Sequence, residues 1–197
     1  MKVLFIHGLA SSGAFKTATT LHHLLHPCEV IAPDVPIDPD EAATLLKNIC
    51  SSEKPDLIVG LSLGGFWAQK LRGFPKILIN PDFHVSELMG TMIGEVRYLS
   101  PRRNGDTSFL ITESICSGYR SLEQTQFDGL TPEEISLTKG MFATEDELVD
   151  CSGEFDLHYP GQATRYPGRH LPTHPELKRY LTPIATELLA KLQEMGR

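Results

Sequence analysis

Cysteine is scarce in this 197-residue chain. The four present, Cys28, Cys50, Cys116 and Cys151, form no C-x-x-C pair and lie far apart, mostly among apolar neighbours. That pattern argues against a disulfide framework and a structural zinc site, and favours thiols acting as small hydrophobes. Long apolar runs are missing too, and nothing approaches the roughly 18 residues of a membrane span. Met1 to Ile6 offers one lysine and four apolar residues before a turn-forming sequence, too short for a signal peptide's apolar segment, so a cytoplasmic location is expected. Positive charge is in deficit: 18 Lys and Arg face 25 Asp and Glu, a net charge of -7 that disfavours nucleic acid and anionic lipid as partners. Neither repeats nor low-complexity tracts occur, and 16 Gly with 14 Pro exclude collagen-like and disordered classes.

What is present is a globular composition, 41% hydrophobic and 22% charged. A chain of this length is expected to form one domain, residues 1–197, with a sizeable core. Short β-branched or Leu-rich runs at Val3 to Ile6, Glu29 to Ala32, Leu57 to Leu61 and Ile77 to Ile79 read as buried strands. Helical signals lie between them, at Ala14 to His26, at Pro39 to Cys50 behind an Asp38 N-cap, and at Leu63 to Arg72. Such alternation predicts parallel strands with helices on both faces.

From Pro81 to about Leu137 the alternation stops, and an insertion of this length suggests a functional segment, here a cap. Thr131 to Glu134 is a capping-box pattern that returns the chain to the sheet. Met141 to Ala143 reads as a fifth strand and Gln162 to Tyr166 as a sixth. A second capping box, Thr173 to Glu176, opens a last helix carrying Leu177, Leu181, Ile184, Leu188, Leu192 and Met195 on one face, with Pro183 expected to kink or split it.

The strongest local signal is Gly60-Leu61-Ser62-Leu63-Gly64-Gly65, a G-x-S-x-G pattern placed after a strand and before a helix. Such a turn strains the serine's backbone and exposes its hydroxyl at the carboxyl end of the strand. A hydroxyl becomes a useful nucleophile only when a histidine takes its proton and a carboxylate steadies that histidine. Asp146, in the loop after the fifth strand, is the candidate acid; Glu145, Glu147 and Asp150 share the loop, and Asp146 also reads as a helix cap. His170, after the sixth strand, is the candidate base, with His158 and His174 as competitors. The order Ser, acid, His matches that of nucleophile-elbow enzymes. The backbone N–H groups of Leu63, after the serine, and Leu9, in the turn His7-Gly8-Leu9 after the first strand, are the expected oxyanion donors. His7 is expected to orient that turn.

Two other patterns lead elsewhere. Gly8 to Thr17 has two glycines at Walker spacing, but Ala14-Phe15 displaces the Lys-Thr pair by two residues, which argues against phosphate binding. His22, His23 and His26 sit on a helical segment where His22 and His26 are spaced to share a face as zinc ligands could, but no third ligand or catalytic glutamate accompanies that pair, and they read as a solvated face.

Through Ile6-His7-Gly8, Gly60 to Gly65, Asn80-Pro81, the Asp146 loop and Gly168-Arg169-His170, nearly the whole chain resembles the α/β-hydrolase superfamily, and within it the small bacterial YqiA-like esterases. The resemblance implies a three-layer α/β fold with a mostly parallel sheet of about six strands and a small cap insertion. It implies hydrolysis of small-molecule acyl esters or thioesters without cofactor or metal, with Ser62, Asp146 and His170 as the triad. Two departures bear on pocket shape: Leu171-Pro172 follows the histidine where the family commonly has a small residue and Phe, and Gly168-Arg169 replaces Gly-Gly. The expected activity is a serine esterase working through an acyl-enzyme. An acyltransferase or thioesterase on the same triad, or a non-catalytic ligand-binding protein on this fold, are the alternatives. Within the cap, Phe83 and Met89 are expected to bind substrate, with Leu88, Met92, Tyr98, Phe109 and Tyr119 lining the same space.

Overall fold

A computed structural model describes residues 1–194. The four apolar runs become β1 (Lys2–Ile6), β2 (Glu29–Ile31), β3 (Leu57–Leu61) and β4 (Lys76–Ile79). A separate antiparallel hairpin, β5 (Gly94–Arg97) and β6 (Ser108–Ile111), lies inside the segment expected to be a cap. β7 (Thr138–Ala143) and β8 (Ala163–Tyr166) complete the main sheet, whose order is β2-β1-β3-β4-β7-β8 with every neighbouring pair parallel. β1 is followed by β2 on one side and flanked by β3 on the other, so the connections leaving β1 and β3 diverge. In open α/β sheets that reversal opens a crevice beyond the carboxyl ends of the strands.

Alternation along each strand feeds two cores. Leu4, Ile6, Ile58, Leu78 and Phe142 face α2 (Pro39–Glu53), α3 (Leu63–Lys70) and α5 (Glu113–Glu123). Val3, Phe5, Val59, Ile77, Ile79 and Met141 face α1 (Lys16–Leu24) and the C-terminal helix. Burial on both faces is why the strands read as continuous apolar runs rather than alternating ones.

Helix starts follow their capping chemistry. Asp38 Oδ1 accepts the N–H groups of Asp40 and Glu41 at 3.0 and 3.1 Å, with Pro39 opening α2. Of the two capping boxes only the second is reciprocal: Thr173 N–H donates to Glu176 Oε2 at 2.6 Å. Thr131 caps α6 (Pro132–Leu137), but Glu134 turns away to accept Gly73 N–H at 3.0 Å. The last helical segment is split as expected near Pro183, through a π-helical turn, Leu177–Leu181, in which Thr182 N–H reaches back to Leu177 C=O. Proline has no N–H for the ordinary ladder, and the wider turn accommodates its ring. The Met195 position lies outside the described residues.

The segment after β4 is only partly cap-like. α5 buries Cys116 and Tyr119, and Tyr119 meets Trp67 of α3 edge-on with ring centres 5.7 Å apart. α5 also lies so close to α2 that a Cβ on Gly118 would come within 2.6 Å of Pro39 Cγ. It is therefore a layer of the body. α4 (Val85–Gly90) and the β5–β6 hairpin are the parts that reach toward the crevice.

Candidate active site

Ser62 stands at the end of β3 with φ 55° and ψ -119°, a conformation that L-residues adopt rarely and at a cost. Its neighbours must be small for the turn to close. A Cβ on Gly60 would overlap the Gly64 carbonyl, one on Gly64 would overlap the Ile6 carbonyl, and one on Gly65 would lie 2.7 Å from Pro81 Cβ. The turn is anchored by Ser62 N–H donating to Ile79 C=O at 3.0 Å, while Ser62 C=O accepts from Gly65 N–H at 2.7 Å. Leu63 then opens α3, at a position whose N–H has no partner within the helix.

The acid loop and the base loop meet beside this turn. Thr144 N–H donates to Tyr166 C=O at 2.9 Å and Glu145 N–H to Gly168 C=O at 3.0 Å, drawing the chain after β7 against the chain after β8. His170 Nδ1 and Asp146 Oδ2 are 2.7 Å apart, both side chains being almost fully buried. Asp146 Oδ1 accepts the N–H groups of Leu148 and Val149 at 2.9 and 3.1 Å, so this carboxylate is a backbone cap and a histidine partner at once. Burial alone would raise its pKa, but the His170 ring N–H and the two backbone donors outweigh it and hold the carboxyl below its ordinary range.

The competing residues go elsewhere. Glu147 faces Arg169 at 4.0 Å, Asp150 accepts Ser152 N–H at 3.0 Å, and Glu145 is exposed. His158 stacks on Phe127 with centroids 3.7 Å apart, and His174 begins the short helical turn His174–Glu176. His22, His23 and His26 are exposed, and among the described residues no group of three His, Cys, Asp or Glu could hold a metal ion.

The turn after β1 is fixed by His7. Its Nδ1 donates to Gly8 C=O at 2.8 Å and its Nε2 accepts Val35 N–H at 3.0 Å, so the ring is the neutral Nδ1–H tautomer. Burial, seconded by the Arg102 guanidinium 3.5 Å from Nε2, pushes His7 down to about 4 despite the opposing bond to Gly8. Gly8 C=O and Leu9 N–H belong to one trans peptide and point opposite ways, so holding the carbonyl sets the direction of the Leu9 N–H. Arg102 braces the same loop, donating to Ser11 C=O at 3.3 Å and Val35 C=O at 3.0 Å.

Ser62, His170, Gly8 and Leu9 all border one cavity of about 320 Å³. The other walls are chiefly apolar: Phe15, Leu88, Met92, Val96, Leu148 and Leu171. Among the described residues the Ser62 hydroxyl has no hydrogen-bond partner; in ligand-free sites such contacts are often long and tighten around substrate.

Phe83 and Met89, expected to bind substrate, do not border this cavity. Both are fully buried in the core. Phe83 meets Phe127 edge-on with ring centres 5.1 Å apart. Tyr119 is likewise core, and Tyr98 and Phe109 line a separate small recess with His7 and Arg102. Leu88 and Met92 do line the cavity, and so does Leu171, the residue after the histidine whose departure from the family pattern bears on pocket shape; Phe15, Val96 and Leu148 join them. Phe15 and Leu148 follow β1 and β7 closely in the chain, whereas Val96 comes from the β5–β6 hairpin.

A family model described as "Uncharacterised protein family (UPF0227)" matches residues 2–157. No curated protein matches the chain in sequence. Among solved structures, the chain is similar to Est1E from Butyrivibrio proteoclasticus, with TM-score 0.70 and 14% identity over 96% of this chain and 88% of that one. It is similar to a metagenome-derived lipolytic enzyme of the LipS and LipT pair, with TM-score 0.65 and 12% identity over 96% and 93%. The esterase domain of a Rhodothermus marinus protein gives TM-score 0.61 and 16% identity over 96% and 86%. At such identities the likeness is one of fold, and the fold is that of the α/β hydrolases.

Proposed function

The chain belongs to the UPF0227 family, and from the geometry of its site we propose that it is a serine hydrolase cleaving carboxylic esters, thioesters included, through an acyl-enzyme on Ser62. The observation that carries this reading is the 2.7 Å contact between His170 and Asp146 beside a cavity that also holds Ser62 on its strained turn. With Nδ1 committed to Asp146, Nε2 of His170 takes the Ser62 proton as Oγ bonds to the substrate's carbonyl carbon. The carbonyl π electrons move onto oxygen, and the N–H groups of Leu9 and Leu63 hold the resulting oxyanion. Collapse breaks the bond to the leaving alkoxide or thiolate, which departs with the proton from His170. Water, deprotonated by the same nitrogen, then attacks the acyl-enzyme carbonyl; collapse breaks the bond to Ser62 Oγ, which recovers the proton from His170, and the carboxylic acid is released. The apolar walls suit a hydrocarbon acyl group, and the size falls in the range of about 300 to 1,000 Å³ common for small-molecule sites. Leu88, Met92 and Val96 give the segment after β4 its share in substrate choice.

Chromogenic esters graded by acyl length test this directly. Turnover that Ser62→Ala reduces to less than about a tenth of wild type supports the reading. Binding of the esters without any turnover would mark a ligand-binding protein on a hydrolase fold and overturn it.

A further inference from the structure

We propose that Asn80 is the positioning residue that holds the Asp146–His170 pair in register, acting through the backbones of both loops. The inference rests on the serine-hydrolase reading of the site and adds a residue to it.

Asn80 follows β4, between the strand bearing Ser62 and the strand leading to Asp146. Its buried amide is fully used. Oδ1 accepts Ala143 N–H at 2.8 Å, at the last residue of β7 and three positions before Asp146. Nδ2 donates to His170 C=O at 2.8 Å and to the Tyr166 hydroxyl at 3.0 Å, with Arg169 C=O farther off at 3.4 Å. One side chain thus ties the root of the acid loop to the backbone of the base itself. The main chain extends the joint: Asn80 N–H donates to Met141 C=O at 2.9 Å, and the adjacent Ile79 C=O accepts Ser62 N–H.

The chemistry explains why asparagine stands here. An amide offers an acceptor and two donors on a short stem, whereas an ionised aspartate has no donor and would set negative oxygen against the His170 carbonyl. Asparagine also tolerates the left-handed backbone at this position, φ 41°, better than most residues with a Cβ. Asn80 does not line the cavity that Ser62 and His170 border, and its side-chain bonds go to the two loops, so its influence on chemistry passes through the acid–base pair.

A displacement of about 1 Å in a catalytic group costs on the order of 10²-fold in rate. Asn80→Gly keeps the left-handed backbone and removes only the amide. It is expected to lower kcat about 10²-fold and leave KM within about threefold of wild type, because Leu88, Met92, Val96 and Phe15, which supply most of the apolar wall, are far along the chain from the loops it holds. The deciding readout is coupling with Asp146→Asn. If Asn80 works by placing the pair, adding Asn80→Gly to Asp146→Asn costs no more than about threefold further; a general structural role makes the two losses multiply. Asn80→Asp preserves size and the Ala143 contact should the glycine variant not fold, and is expected to lose at least about tenfold in kcat through its missing donors. Wild-type kcat in whichever variant folds, or multiplying losses in the double variant, overturns the proposal. Ser62→Ala in the same assay separates the two claims: activity surviving there overturns the serine-hydrolase reading itself, whereas an inactive Ser62→Ala beside a fully active Asn80 variant removes only the positioning role.

Discussion

Acidification should weaken the fold through His7 by an amount that can be worked from its surroundings. In the native protein the ring is buried, accepts Val35 N–H on Nε2 and faces Arg102, and its pKa lies near 4 rather than 6.5. An unfolded chain takes up a proton on this residue as pH falls through 6.5, while the native ring stays neutral until about pH 4. The unfolded state therefore binds more protons across that window. Stability from this group is complete above pH 6.5 and is lost progressively down to about pH 4. At about 1.36 kcal/mol per pH unit, the gap amounts to roughly 3 kcal/mol, a large part of the 5 to 15 kcal/mol typical of a folded protein. Urea denaturation at pH 7 and pH 4 measures the total, which includes carboxylates held low in the native state, such as Asp34 and Asp146. His7→Gln isolates the His7 share, since glutamine offers an N–H to Gly8 C=O and an oxygen to Val35 N–H but does not titrate. The variant should lose roughly 3 kcal/mol less than wild type between the two pH values. Equal losses in both proteins would refute a neutral, buried His7.

Two further outcomes follow from the site. Asp146→Asn should lower kcat by about three to four orders of magnitude by favouring the wrong His170 tautomer, with Glu145→Gln, Glu147→Gln and Asp150→Asn each changing it far less in the same kinetic assay. Leu88→Ala and Met92→Ala should shift the preferred acyl length by about 10- to 200-fold in kcat/KM, whereas Phe83→Ala should leave that preference alone and cost about 3 to 5 kcal/mol in denaturation.

The contrast between Leu88 and Met89 shows where sequence reading stops. Both are apolar neighbours on α4, yet one step along a helix turns a side chain by about 100°. Val85 and Met89, four apart, go into the core, while Leu88 and Met92, also four apart, face the cavity. Apolarity marked the segment as half-buried without telling which stripe met protein and which met the crevice. β7 was legible only over Met141 to Ala143, because its first half, Thr138-Lys139-Gly140, lacks an apolar run. Gly140 is required there by the rings of Phe142 and Phe155, either of which would lie within 3 Å of a Cβ. β4 begins with a fully buried lysine, Lys76, that burial pushes down to about 8, another residue that a hydrophobic pattern does not find. That Ser62, Asp146 and His170 would stand on neighbouring loops at one end of the sheet was legible because strand-to-loop order carries their placement. Asn80 read only as part of an Asn-Pro turn, since its partners, Ala143 N–H and His170 C=O, are backbone groups 63 and 90 positions away in the chain.

The central claim is that Ser62 is a nucleophile activated by its surroundings, and intact-protein mass after treatment with a fluorophosphonate tests it most directly. A single phosphonyl adduct, located on Ser62 by peptide mapping and absent from a folded Ser62→Ala variant, is the expected result. An unmodified protein, or an adduct on any other residue, would contradict it.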